Sequence, residues 1–325
     1  MKVAAAFAAV AVLSATAARA QQPAPATPTF HSSAALVALN VTVQDHSAKF
    51  VRDLQPGDFV VYDEGVRQNV TFFESTRVPV DLILLIDTSS SMTDKVDVVH
   101  EAASGFLKTL RPDDRGAVVT FANAITVAQP LTGDQALLQK AVSTTAAHGN
   151  TCLNTAVYVA LKQFGNAAQS AGEVRRQAIV LLSDGADTAS GLGFDDVLDL
   201  ARRMGVSIYT VMLQSPLEAR RSMAAFNRRA DEDAQYTMKT LAKETGAQAF
   251  FPQPASLKGV YTAIANELAS QYSLGYIPQN TSADGGFHHV SVQVVARPQL
   301  FSRTRLGYIA AAVSPVPLVR ALGGR

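Results

Sequence analysis

The stretch Val80-Asp81-Leu82-Ile83-Leu84-Leu85-Ile86-Asp87-Thr88-Ser89-Ser90-Ser91 decides the fold. Its first seven residues read as an apolar run of strand length, the pattern of a strand buried on both faces. The run then changes abruptly to a carboxylate and hydroxyls. Downstream, Asp94–Leu110 puts Val99, Ala102, Ala103, Phe106, Leu107 and Leu110 on one helical stripe, with Asp94 as a cap or first-turn charge. Strand Gly116–Phe121 follows and pairs with Ala124–Ala128 through a turn at Ala122-Asn123. Helices are expected at Asp134–Ser143, Cys152–Phe164, Phe194–Met204, Thr237–Thr245 and Leu257–Leu268, with strands at Gln177–Leu182, Val206–Leu213 and Gln248–Phe251 between them. Buried strands alternating with amphipathic helices predict an α/β domain over residues 78–270, built on a doubly wound, mostly parallel sheet.

The flanks read differently. Residues 34–77 carry short strands, among them Phe59–Tyr62 and Val70–Phe73, around the turn signal Asp63-Glu64-Gly65. Residues 271–309 return to the same style, with strands at Tyr272–Ile277, His288–Ala296 and Phe301–Tyr308. The two pieces are expected to pair as one small flanking all-β domain into which the α/β domain is inserted. Residues 310–325 read as a disordered tail.

At the N-terminus, Lys2, the apolar run Val3–Leu13 and Ala18-Arg19-Ala20 have the form of a signal peptide, residues 1–20. A membrane span needs about 20 apolar residues, more than this run holds. Residues 21–33 are a Pro/Ala-rich flexible leader. The expectation is export to the periplasm or the exterior, with no integral membrane segment in the mature chain. Removing residues 1–20 leaves 26 basic against 27 acidic residues, a formal charge of −1. That balance argues against a nucleic-acid or anionic-membrane partner held by bulk charge. Cys152 is the only cysteine, so no intramolecular disulfide forms and cohesion must come from a buried core.

The residues that carry chemistry follow buried strands. Asp87, Ser89 and Ser91 come after the first, Ser183-Asp184-Gly185 after Gln177–Leu182, and Gly149-Asn150-Thr151 precedes a helix between them. Taken singly, such residues cap helices and make turns. In a doubly wound sheet, however, ligands bind at the carboxyl edge where strand order reverses. With an order 3-2-1-4-5-6, Asp87 and Asp184 would face one crevice. The Asp-x-Ser-x-Ser of Asp87, Ser89 and Ser91, with a later Thr151 and Asp184, resembles the metal-ion-dependent adhesion site of von Willebrand factor A domains. The resemblance covers roughly residues 78–270. The flanking segments Leu54…Asp58-Phe59…Tyr62-Asp63-Glu64-Gly65 and Tyr272…Leu274-Gly275-Tyr276 look like those of a bacterial group of exported A-domain proteins. Asn150, Cys152 and Thr155 depart from the residues often found around the family's threonine.

The resemblance implies Ser89, Ser91 and Thr151 as hydroxyl ligands of Mg²⁺ (or Mn²⁺ or Ca²⁺), with Asp87 and Asp184 acting mainly through bound water. Hard divalent cations take oxygen ligands, and neutral hydroxyls leave the ion electrophilic. An open coordination position can then accept a carboxylate from a protein partner, so the expected function is cation-dependent binding rather than catalysis. Two other functions stay open: a structural exported protein whose metal stabilises the fold, and a metal-assisted hydrolase. The last lacks a Gly-x-Ser-x-Gly elbow, and its nearest base candidate is His148. Cys152 and the pair His288-His289 read as packing or surface residues.

Overall fold

The computed structural model describes residues 36–75, 78–168, 175–185, 187–214, 225–279 and 285–310. The signal peptide, leader and C-terminal tail expected from the sequence lie outside the described residues, apart from Ala310. In chain order the strands are β1 (Val37–Gln44), β2 (Phe59–Asp63), β3 (Val66–Gln68), β4 (Val70–Ser75), β5 (Val80–Asp87), β6 (Arg115–Phe121), β7 (Ile125–Thr132), β8 (Arg176–Ser183), β9 (Ser207–Met212), β10 (Ala249–Phe250), β11 (Tyr272–Tyr276), β12 (Phe287–Val294), β13 (Phe301–Arg303) and β14 (Gly307–Ile309). The helices are α1 (Val96–Leu107), α2 (Gln135–Ser143), α3 (Leu153–Ala168), α4 (Phe194–Met204), α5 (Ala225–Glu244) and α6 (Leu257–Leu268).

Every residue of β5 is buried because it lies inside a six-stranded sheet of order β10-β9-β8-β5-β6-β7. All neighbours pair parallel except β6 and β7, which pair antiparallel. Counted within the α/β block this is the order 3-2-1-4-5-6, the doubly wound arrangement expected from the sequence. The pleat sends successive side chains to opposite faces. Leu82, Leu84 and Ile86 join the core beneath α1, α2 and α6, while Ile83 and Leu85 join the core beneath α3, α4 and α5. Phe106 of α1 and Tyr261 of α6 stack with ring centroids 4.9 Å apart.

Two helices begin elsewhere than the sequence predicts. Helix α1 begins at Val96, not Asp94, because Ser90–Lys95 forms a 3₁₀ segment. That segment is tethered sideways, Ser90 N donating to Gly149 O at 3.0 Å, so it wraps the rim instead of extending the helix. Helix α5 starts twelve residues before Thr237. It buries Ala234, Met238 and Leu241, while its polar stretch around Glu232 and Asp233 faces solvent.

The strands from the two ends of the sequence pair in two antiparallel sheets, β13-β1-β11-β4 and β14-β12-β2-β3. They share a core that includes Leu39, Val41, Phe59, Val61, Tyr272, Leu274 and Val292. Phe301–Tyr308, expected as one strand, is two strands in different sheets. The break falls where Leu306 N donates to Glu244 O and Arg303 Nη1 to Gly246 O, at the C-terminal end of α5. Gly246 has φ 75°, and a Cβ there would lie 2.4 Å from the Arg305 nitrogen, so the close approach requires glycine.

Buried Arg176 straps the entry and exit of the α/β block. Its guanidinium donates to Val78 O at 2.9 Å, Leu268 O at 2.8 Å and Gln271 O at 3.4 Å. Glu267, 2 % exposed, accepts from Tyr209 at 2.7 Å, Thr42 at 3.3 Å and Arg303 at 2.6 Å, and so joins α6 and β9 to β1 and β13. The described residues of the block and of the two flanking sheets fall within one compact unit. No described helix is long and apolar enough to cross a membrane.

Candidate metal centre

Strands β5 and β8 lie side by side and parallel, and their carboxyl ends deliver Asp87 and Ser183-Asp184 to the place where strand order reverses. Asp87 is fixed from two sides. Its Oδ1 accepts from Ser89 N at 2.8 Å and its Oδ2 from Ser183 Oγ at 2.5 Å. The hydroxyls of Ser89 and Ser91 are 3.1 Å apart, and Ser91 Oγ donates to Asp184 Oδ1 at 2.7 Å. Four of the five residues singled out from the sequence therefore form one hydrogen-bonded chain across the edge of the sheet. Asp87 and Ser89 are buried, whereas Ser91 is exposed.

Thr151 reaches the same edge through its backbone. His148 N donates to Thr88 O at 2.6 Å, and the Ser90–Gly149 bond holds the next residue pair. Gly149 has φ 79°, and a Cβ there would meet the Asn123 amide at 2.7 Å. On its other side Thr151 N donates to Thr188 Oγ1 at 3.1 Å, and Thr151 O accepts from the nitrogens of Thr188 and Ala189. The start of α3 is capped remotely in the same way, Asn154 N donating to Asp187 Oδ2 and Thr155 N to Ser190 Oγ. Among the described residues the Thr151 hydroxyl makes no hydrogen bond to the other four.

Lys95, Asp187 and Thr188 were not picked out from the sequence, and Ser183 only as part of the Ser183-Asp184-Gly185 strand end, with no role of its own. Lys95 Nζ donates to Asp184 Oδ2 at 2.7 Å and to Ser91 O at 2.6 Å, and it lies 3.3 Å from Asp94 Oδ1. The one signal for it was its position four residues beyond Ser91, a helical turn away. Burial raises the Asp87 carboxyl above its ordinary range, and Asp184 adds to this, while the hydrogen bonds from Ser183 and Ser89 oppose it. Burial lowers the Lys95 ammonium, but its bonds to Asp184 and Asp94 outweigh that and hold it above the usual lysine range. Burial raises the Cys152 thiol, with Asp187 adding to the effect, and its sulfur faces the carbonyls of Asn123 and Ala189. It is a buried, packed thiol. His288 stands 3.7 Å from buried Asp63 in the flanking sheets, away from this edge.

The donor chemistry suits a hard cation. No group of three or more His, Cys, Asp or Glu gathers among the described residues, so the oxygen set here is two carboxylates and serine or threonine hydroxyls. An octahedron with Mg²⁺–O distances of about 2.0–2.1 Å places neighbouring ligands about 3 Å apart. The 3.1 Å separation of the Ser89 and Ser91 hydroxyls fits such an edge.

The α/β block and its acidic, hydroxyl-rich edge define the class of protein. The von Willebrand factor type A domain family matches residues 81–258, more than half of the sequence, and the chain belongs to that family. None of the curated proteins matches the sequence. Solved structures of similar fold include proximal thread matrix protein 1 from the mussel byssus, 15% identical, with 59% of this chain and 48% of that one aligned at a TM-score of 0.47. The chain thus spans about half of the mussel protein's length. The vWF domain of the type V pili tip protein Mfa5 from Porphyromonas gingivalis is 15% identical over 58% of this chain and 94% of its own, at 0.45. A von Willebrand factor type A protein from Catenulispora acidiphila is 12% identical over 87% of this chain and 76% of its own, at 0.49.

Proposed function

We propose that the chain is an exported, divalent-cation-dependent protein-binding module of the adhesion type, within the bacterial exported A-domain group. The observation that carries this reading is the hydrogen-bonded chain Asp87–Ser89–Ser91–Asp184 spanning the switch point of the sheet. Ser89, Ser91 and Thr151 would hold Mg²⁺, Mn²⁺ or Ca²⁺, with Asp87 and Asp184 acting mainly through bound water. A bound ion supplies an electrophilic centre that can accept a carboxylate from a protein partner. The chain's own residues set the direction of approach. Asp87 and Ser89 form the buried floor, and exposed Ser91 marks the open side.

Binding, not hydrolysis, suits these contacts. The Ser91 hydroxyl donates to a carboxylate already engaged by Lys95, and the His148 ring bonds the backbone carbonyl of Ala146. A serine nucleophile requires an available base, and the carboxylate facing Ser91 is tied up in its ion pair with Lys95. Export to the periplasm or beyond rests on the signal-peptide pattern of residues 1–20.

The test is a pull-down from exported material with Mg²⁺, with chelator, and with Asp87→Ala after its folding is checked by thermal unfolding. A partner retained in Mg²⁺ and lost in the other two arms is expected. Equal retention in all three contradicts the reading. Burial of Asp87, Ser89 and Thr151 favours one competing role, a metal that only stabilises the fold. That role predicts a metal-induced melting shift with no partner.

A further inference from the structure

We infer that Lys95 is a resident cation of this edge, occupying the Asp184 side in the metal-free chain and setting by competition how tightly a divalent ion binds. The inference rests on the metal-binding reading above and concerns the same site. Three observations carry it. The ammonium sits in an oxygen cradle, with Asp184 Oδ2 at 2.7 Å, Ser91 O at 2.6 Å and Asp94 Oδ1 at 3.3 Å, one oxygen for each of its N–H donors. The pair with Asp184 is shielded, the two side chains being 12 % and 5 % exposed, so water screens it far less than a surface pair. The third partner, Asp94, is 82 % exposed and lies on the solvent side of the cradle.

These positions make Lys95 and a divalent ion rivals. The Asp184 carboxylate shares one oxygen with the Ser91 hydroxyl and the other with the ammonium. An ion coordinated by Ser89 and Ser91 would stand beside a positive charge already bound to the same carboxylate. Counting Asp87, Asp184 and exposed Asp94, the edge carries a net of −2 with the Lys95 ammonium in place and −3 without it. Either the ion binds against that repulsion or the ammonium swings away, and Asp94 offers it a solvent-side seat. Both routes weaken metal binding relative to a chain lacking the charge. The same pair gives the metal-free edge a defined shape, because two carboxylates would otherwise face each other across it.

Calorimetric titration of Mg²⁺ and Mn²⁺ into wild type, Lys95→Met and Lys95→Arg tests this, with thermal unfolding of each in chelator and in metal. Lys95→Met removes the charge and keeps the stem, whereas Lys95→Arg keeps the charge. Competition of this kind is a coupling free energy, so Lys95→Met is expected to bind at least about fivefold tighter than wild type, and Lys95→Arg close to wild type. The metal-free Lys95→Met protein should melt lower than wild type and show the larger metal-induced rise. If Lys95→Met does not fold, Lys95→Gln, which retains a donor for the Ser91 carbonyl, takes its place. Equal or weaker binding by the uncharged variant overturns the role of Lys95 while leaving the metal reading intact. No metal binding by any of the proteins overturns the metal reading, and this inference with it.

Discussion

Asp87 shows how much the site asks of a single side chain. It is 1 % exposed, satisfied by Ser89 and Ser183, and still raised in pKa by burial. Asp87→Asn keeps the shape and lets the amide bond both neighbours while removing the buried charge. Without metal it should melt higher than wild type, and the heat of Mg²⁺ binding should vanish. Asp114 gives the contrast. Burial alone would raise its carboxyl, but hydrogen bonds from the Arg111 side chain and from the nitrogens of Arg111 and Val80 outweigh that and lower it. A carboxyl lowered on folding contributes stability above its unfolded pKa and loses it as pH falls through the folded one. The stability difference between wild type and Asp114→Asn, from denaturant unfolding, should be constant above about pH 5 and shrink as acid is added below about pH 4. At this scale Asp87, Ser89, Ser91 and Asp184 could be found because each follows a buried strand. Lys95 could not. A lysine one turn beyond a serine is ordinary, and its importance comes from Asp184, 89 residues further along the chain.

Among the elements, those whose pattern is set by the core they cover were the legible ones. The apolar run of β5 and the one-sided stripe of α6 matched their ends to within a residue, because burial on two faces or one leaves a plain periodicity. The first half of α5 was hidden, since a solvent-facing charged stretch carries no such stripe. The break between β13 and β14 was hidden for another reason: its cause is the distant end of α5, not any residue within 301–308. The loop before α3 is the element on which the site leans most. Gly149 holds a left-handed φ of 79° and presents its carbonyl to Ser90. Gly149→Ala should cost roughly 1–2 kcal/mol in thermal unfolding from the backbone alone. It should also weaken Mg²⁺ binding in calorimetry, because it loosens the tie between the Thr151 loop and the Ser89–Ser91 turn. Unchanged affinity in a folded Gly149→Ala protein would count against Thr151 as a ligand.

For the molecule as a whole, the α/β block interrupts a pair of antiparallel sheets, and two buried charged residues hold the junction. Arg176 is shifted down to about 10 by burial, and three backbone carbonyls accept from its guanidinium. Glu267 ties α6 to both sheet systems, and removing its carboxylate leaves Arg303 and Tyr209 without their buried acceptor. Breaking one side of such a pair typically costs about 3–5 kcal/mol, so Glu267→Ala should lose about that much in denaturant unfolding, and Glu267→Gln less. None of this junction was legible in the sequence, since Glu267 sits in a helix pattern where an exposed acid is the ordinary expectation. The reading of the whole nonetheless depends on the edge of the central sheet. The most direct measurement is an anomalous difference map from crystals soaked in Mn²⁺, for wild type and Asp87→Ala. One peak per chain beside the Ser89 and Ser91 hydroxyls, absent from the variant, is the predicted result. A wild-type map with no peak at that edge, or with Mn²⁺ seated elsewhere, would contradict it.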